Sequence, residues 1–494
     1  MSGEGRRSAF SELGFRKTVA LLLEEISELY WSDGIPWVVG YSGGKDSTAT
    51  LQLVWMALAA MPEDRRTKQV HVISTDTLVE NPVVAGWVNA SLGLMAAAAE
   101  RSGLPISVHR LTPDLTNSFW VNLIGRGYPA PRPKFRWCTE RLKIYPSNRF
   151  ISEMVRENGE AIVVLGTRKA ESQARAKVMA RAEARRVRGR LSPNESLPSA
   201  YIYSPVEEWT NDDIWMFLTQ TVNPWDVSND ELMNLYQGAS PDGECPLVID
   251  SSTPSCGDSR FGCWVCTMVE QDKSMQAMIV NDSQKEWMRP LLELRNELDE
   301  DDRELRDFRR MNGQLTLYRR AGQDALIHGP YTQQAREMWL RKLLCAQRKA
   351  REAAPEDMKD VTLVSLEELE EIRRIWVTEK HEIEDSLPRI YAEECGEPYP
   401  GGRIDDAMAL NAADVAVLER VCGDRMHFQL VRELLSIERK HRTMVKRPGI
   451  YRELEEAIRR GAFDGEEDAL AFAVARRDAL NGETPAAIDA LLEY

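Results

Sequence analysis

The stretch VVGYSGGKDSTA, residues 38–49, sets two glycines, a lysine, an aspartate and several hydroxyls directly behind an apolar run. Glycines let backbone N–H groups approach a phosphate, and a helix start adds partial positive charge. The chemistry on offer is anion binding. The common nucleotide loop requires G-x4-G-K-[ST]. Here Lys45 precedes Asp46, and Val39 stands where the first glycine belongs, so that loop is excluded. A second group is Cys245, Cys256, Cys263 and Cys266, spaced C-x10-C-x6-C-x2-C in a Gly-, Pro- and Ser-rich stretch. Four thiols so concentrated predict a metal centre. Structural zinc sites usually show two short knuckles. The single short knuckle, Cys263–Cys266, with Phe261, Trp264 and Val265 around it, favours an iron–sulfur cluster over zinc.

Two further stretches carry reactive types. In RWCTERLKIYP, Cys138 has Arg136, Arg141 and Lys143 within five residues. Such cations are expected to lower a thiol's pKa and raise its thiolate fraction. In LGTRKAESQAR stand Gly166, Arg168, Glu171, Ser172 and Arg175. An arginine fork pairs two oxyanion oxygens at once. Residues 168–190 hold nine Lys or Arg against two Glu, a candidate phosphate track.

These groups need elements to hold them. Residues 9–31 predict an amphipathic helix. PWVVGYS, QVHVISTD, ISVHRL and AIVVLG read as strands. Helical stretches lie between them, one beginning near Pro82 and ending before Gly103, another around 139–157. Strands alternating with helices predict a doubly wound, mostly parallel α/β sheet. Its strand ends are where ligands sit, which makes Asp76 and Thr77 nucleotide contacts by position. The domains expected are an N-terminal helix (1–31), an α/β domain (32–240), a four-cysteine module (241–285) and a helical C-terminal region (286–494). Cys345, Cys395 and Cys422 fall in helical stretches and read as structural.

Composition narrows the class. Hydrophobic residues are 43% and charged residues 29% of 494, a globular balance. The net charge of −15 argues against a protein that coats nucleic acid unaided. No unbroken apolar run approaches membrane-spanning length, and MSGEGRRSAF has no apolar leader core, so a cytoplasmic location without membrane association is expected.

SGGKDS resembles the SGGxDS loop of the PP-loop ATP pyrophosphatases, which cleave ATP between its α and β phosphates. That resemblance implies hydroxyls from Ser42 and Ser47 and backbone donors from Gly43 and Gly44. It implies charge neutralisation by Lys45, and an Asp46 that caps the helix and helps hold Mg²⁺. G-x-R-x-x-E-S-x-x-R, from Gly166 to Arg175, resembles the PAPS reductase branch of that superfamily, where it lines the oxyanion end of the site. Taken with FGCWVCTMVEQDKSM, these motifs are similar in kind and order to the DndC family of DNA phosphorothioation sulfurtransferases. The resemblance implies a 4Fe-4S cluster, ATP and Mg²⁺ as cofactors. It also implies DNA as substrate, a cysteine desulfurase donor and other subunits of a modification complex. Arg168 and Arg175 would then stabilise charge on phosphate oxygens, and Cys138 would carry sulfur. The competing expectations are a reductase of sulfated nucleotides, a tRNA-thiolating enzyme, and a non-catalytic iron–sulfur scaffold. A sulfated-nucleotide reductase often ends in E-C-G-L-H, whereas Glu394-Cys395-Gly396 here lacks the Leu-His.

Overall fold

The computed structural model describes residues 7–240, 261–320, 322–382, 384–402, 412–442 and 444–480. They divide into two compact units. The first is drawn from Met1–Asp114, Pro131–Arg295 and Ala350–Val361, the second from Leu115–Ala130, Asn296–Lys349 and Thr362–Tyr494.

The first unit is built on β1 (Trp37–Gly40), β2 (Val70–Thr75), β3 (Ile106–Leu111), β4 (Ala161–Val164), β5 (Ser192–Pro193) and β6 (Ala200–Tyr203). Their order across the sheet is β3-β2-β1-β4-β6-β5. All pairs are parallel except β5 with β6. WVV and AIVV read as unbroken apolar runs because both faces of the central strands are covered. Trp37 and Val39 enter one core with Ile162 and Val164, while Val38 enters another with Ala161, Val163 and Ile151. Helix α1 (Phe15–Trp31) buries Val19, Leu22, Ile26 and Leu29, one face at helical spacing. The sequence expectation of a doubly wound, mostly parallel sheet is met. β6, and with it the short antiparallel β5, was not foreseen.

Three more helices matter for position. They are α2 (Lys45–Ala60), almost wholly buried, α3 (Pro82–Arg101) and α4 (Tyr145–Asn158). Among the described residues, α3 is the one helix long and apolar enough to cross a membrane by length and composition. It is interrupted by polar residues, so a search for unbroken apolar runs passes over it. Its Val84, Leu92, Met95, Ala98 and Ala99 are buried in the first unit.

The second unit is mostly helical, as expected. It also holds an antiparallel hairpin, β7 (Leu317–Arg320) with β8 (Gln323–Leu326), where helix alone was expected. The hairpin strands carry Arg319, Arg320, Gln323 and Asp324 and so show no apolar alternation.

Candidate active site at the carboxyl edge of the sheet

After β3 the chain returns to the other side of β1, so β1 and β4 diverge at a topological switch point. A cavity of about 580 Å³ opens there, where such sheets bind ligands. Ser42, Asp46, Ser47, Asp76 and Gly166 line it, together with Glu80, Arg110, Lys143 and Glu171.

The 42–47 loop is held from several sides. Ser47 Oγ accepts from Ser42 N at 3.2 Å, lies 3.1 Å from Ser42 Oγ and donates to Gly44 O at 3.0 Å. Gly43 has φ 74°, and a Cβ there would meet Val88 at 2.3 Å. The Trp87 indole donates to Gly43 O at 3.2 Å. Lys45 N donates to the Tyr236 hydroxyl at 3.3 Å. Lys45 Nζ is 3.4 Å from Asp46 Oδ2 and 5.2 Å from the centre of the Tyr236 ring. Burial pushes the Lys45 ammonium below its ordinary pKa, with Asp46 opposing. Tyr236 is a supporting residue the sequence reading missed. It lies 191 positions from Lys45, and no local pattern reports so distant a contact.

Three expectations meet a different geometry. The N-cap of α2 is Gly44, without a side-chain cap, so Asp46 does not cap the helix. Asp46 Oδ1 instead accepts from Arg168 Nε at 2.7 Å. Arg168 is 4% exposed and also donates to Trp209 O, so its guanidinium is committed to the loop and does not line the cavity. Its backbone N–H donates to Glu171 at 2.7 Å. Arg175 is exposed, 3.5 Å from Glu171, and lies outside the cavity lining too. The lining cations are Arg110 at the end of β3 and Lys143. Lys143 reads in sequence only as a cation flanking Cys138, and Arg110 is not singled out within ISVHRL. Arg110 Nε donates to Asp76 Oδ2 at 3.1 Å.

Thr77 also departs from expectation. It is fully buried, with its hydroxyl 2.9 Å from Glu80 Oε1 and 3.2 Å from Cys263 Sγ, and it does not line the cavity. Trp264 N donates to Val79 O and Asn81 N to Gly262 O, at 2.9 and 3.2 Å. Cys266 N folds back onto Cys263 O at 3.1 Å, closing the knuckle. Lys143 Nζ stands 3.4 Å from Glu80 Oε1. Its pKa is held above the ordinary lysine value, first by Cys263 and also by Glu80. Burial, then Glu80, pushes the Cys263 thiol up to about 12.

Cys138 is half-buried and within electrostatic range of Cys266 and Lys143. Its pKa is raised by burial, the reverse of the expected lowering, because desolvation outweighs Lys143. Cys245 and Cys256 lie outside the described residues. Among the described residues no three His, Cys, Asp or Glu side chains gather to hold a metal. The donors that are described fit a thiolate-bound group in kind: two thiols on one closed knuckle, with a lysine beside them.

The 168–190 segment is less of a track than its charge suggests. Seven of its nine cations are in ion pairs, Lys169 with Glu183 and Arg186 with Glu207 among them. Lys177 and Arg181 are the two without an ion pair among the described residues.

Comparison with known proteins gives one domain match and two partial likenesses. The family described as phosphoadenosine phosphosulfate reductase domain matches residues 36–268. A curated relative, the uncharacterized protein MJ0066 of Methanocaldococcus jannaschii, is 25% identical over 235 residues, 48% of this chain. The match spans 37% of that relative's own length, little more than a third. Among solved structures, the U34-tRNA thiolase NcsA from Methanococcus maripaludis with its 4Fe-4S cluster aligns at 12% identity and a TM-score of 0.27. That alignment covers 44% of this chain and 72% of the thiolase.

Proposed function

We propose, from the premise that residues 36–268 form a PAPS reductase-like PP-loop domain, that the chain is an ATP-dependent sulfurtransferase for DNA backbone phosphates. The supporting observation is adjacency. The Asp76–Asn81 segment gives Asp76 and Glu80 to the nucleotide cavity, and Thr77, Val79, Glu80 and Asn81 to the cysteine knuckle. A nucleotide site and a sulfur-bearing site share one wall.

In this reading ATP lies at the strand ends with its β and γ phosphates on the 42–47 loop. Mg²⁺ would accompany it near Asp46. A non-bridging DNA phosphate oxygen attacks the α-phosphate, and pyrophosphate leaves. The anhydride so formed turns a poor leaving oxygen into AMP. Hydrosulfide, released from the persulfide of a cysteine desulfurase partner by a thiol reductant that is oxidised to its disulfide, then attacks the phosphorus and displaces AMP. Arg110 and Lys143 supply the positive charge facing the reacting phosphates. Arg168 fixes Asp46 and hence the loop, a positioning role. Cys138, Cys263 and Cys266 bring thiol sulfur to the knuckle side. Cys245, Cys256, Cys263 and Cys266 would hold a 4Fe-4S cluster, which would supply a one-electron redox centre when bound.

The test is anaerobic incubation of the full chain with ATP, sulfide and DNA or tRNA, with AMP and pyrophosphate counted and the digested nucleic acid analysed by mass. DNA-dependent AMP with phosphorothioate dinucleotides is the expected result. Sulfur in tRNA alone, or no AMP, sinks the reading. The domain match also favours a second reading, reduction of a sulfated nucleotide. Sulfite released from such a nucleotide without ATP would select it.

A further inference from the structure

The second unit contains a cavity of about 270 Å³ that none of the chemistry above uses. Six cations line it: Arg309, Arg310, Arg336, Lys380, Arg432 and Arg460. Three are spoken for by lining carboxylates. Arg309 pairs with Asp307, Arg336 with Glu382 and Arg460 with Glu433. Arg432 is 3% exposed and donates Nη1 to Glu384 at 2.6 and 2.7 Å. Its buried Nε has no hydrogen-bond partner among the described residues. Arg310 and Lys380 make no side-chain hydrogen bond or ion pair among the described residues. The fourth lining carboxylate, Glu379, is engaged by Arg374 outside the cavity.

The surrounding backbone is shaped to keep this arrangement. Arg310 sits in a tight turn closed by Arg310 N to Gln314 O and Gly313 N to Arg310 O, both 2.8 Å. Gly313 has φ 77°, and a Cβ there would meet Arg460 Cδ at 2.3 Å. Lys380 closes a helical turn, its N–H bonded to Ile375 O at 2.9 Å. The next residue, His381, adopts φ 60°, a left-handed conformation uncommon for a non-glycine that persists where the surrounding structure holds it. Burial, then the nearby Arg336, pushes the Lys380 ammonium down to about 8, with Glu382, Asp307 and Glu379 opposing.

Guanidinium forks lining one cavity, with two cations left over, match a dianionic oxyanion. A polymer track would instead string its cations along an open surface. We propose that this cavity binds the phosphate group of a small molecule, with Arg310, Lys380 and Arg432 as its ligands. The proposal does not depend on the sulfur chemistry assigned to the first unit.

The experiment is titration calorimetry on the full chain carrying Lys45→Ala, which removes the loop lysine from competition. Inorganic phosphate, pyrophosphate and AMP serve as separate probes, so that a free anion and a nucleotide phosphate are told apart. At least one probe is expected to bind saturably. Lys380→Met and Arg310→Gln should each weaken it fivefold or more, and Lys380→Arg should bind within threefold of the parent. A thermal melt on each variant separates lost binding from lost folding, and the half-buried Arg310 provides the test should Lys380→Met unfold. Absence of saturable binding by all three probes, a loss under fivefold in the folded variants, or displacement by an unphosphorylated oligonucleotide would overturn the proposal.

Discussion

Gly166 carries no side chain because none fits. A Cβ there would lie 2.6 Å from Asp46 O and 2.9 Å from Ser47 N, both rigid backbone of the phosphate loop. Its φ is not in the left-handed region, so the requirement is purely steric. Gly166→Ala should therefore push the loop off its position and cut ATP affinity at least tenfold by calorimetry. The overall fold should survive, with a melting temperature lowered by only a few degrees, in line with about 1–3 kcal/mol for overpacking. Cys138 poses the opposite question, one of charge. Its thiol pKa is raised by burial above the ordinary value, so at neutral pH it is held protonated. The thiolate form is favoured only as pH rises past that raised pKa. Iodoacetamide labelling of the Cys138 peptide, followed by mass, should accordingly stay slow at pH 7 and accelerate as pH is taken above 9. Rapid labelling at pH 7 would restore the activated thiol that the neighbouring Arg136, Arg141 and Lys143 suggest in sequence.

At the scale of elements, what was legible followed from how each segment is buried. WVV and AIVV stand out because central strands covered on two faces have no polar positions to hide behind. The loop after β1 was readable because glycine, lysine and hydroxyl must be adjacent in sequence to act together. Arg168 was readable as an important residue and misread in role: its partner, Asp46, is 122 positions away. Tyr236 and the β7–β8 hairpin left no periodic trace at all. The start of α3 is the element most open to test. Asn81 accepts from Val83 N at 3.0 Å as the N-cap, and its own N–H donates to Gly262 O beside the knuckle. Asn81→Ala should cost about 1 kcal/mol in a urea melt through the lost cap. Its backbone bond to Gly262 is retained, so the knuckle should stay in place.

Across the whole molecule, 78 acidic residues outnumber 63 Lys and Arg. The one conspicuously basic segment spends most of its charge on internal ion pairs, leaving Lys177 and Arg181 without an ion pair among the described residues. A chain so arranged grips a polyanion weakly by itself. The isolated protein's affinity for DNA should fall with salt at a log–log slope shallower than about −4, corresponding to roughly four or fewer phosphates neutralised. Fluorescence anisotropy with a labelled duplex from 50 to 200 mM salt measures it. A steeper slope would point to a basic surface that the ion pairs have not consumed.

Six residues, Asp76 to Asn81, serve two masters at once. One short length of backbone lines the cavity at the strand ends and hydrogen-bonds to the Cys263 hairpin, which gives a displacement of one a direct path to the other. Thermodynamics makes any such coupling mutual: if filling the thiols changes nucleotide affinity by some factor, nucleotide changes the affinity for the occupant of the thiols by that same factor. Were iron held on those thiols, its retention against a chelator would change as adenine nucleotide fills the cavity, and an unchanged retention would show the two sides to be uncoupled.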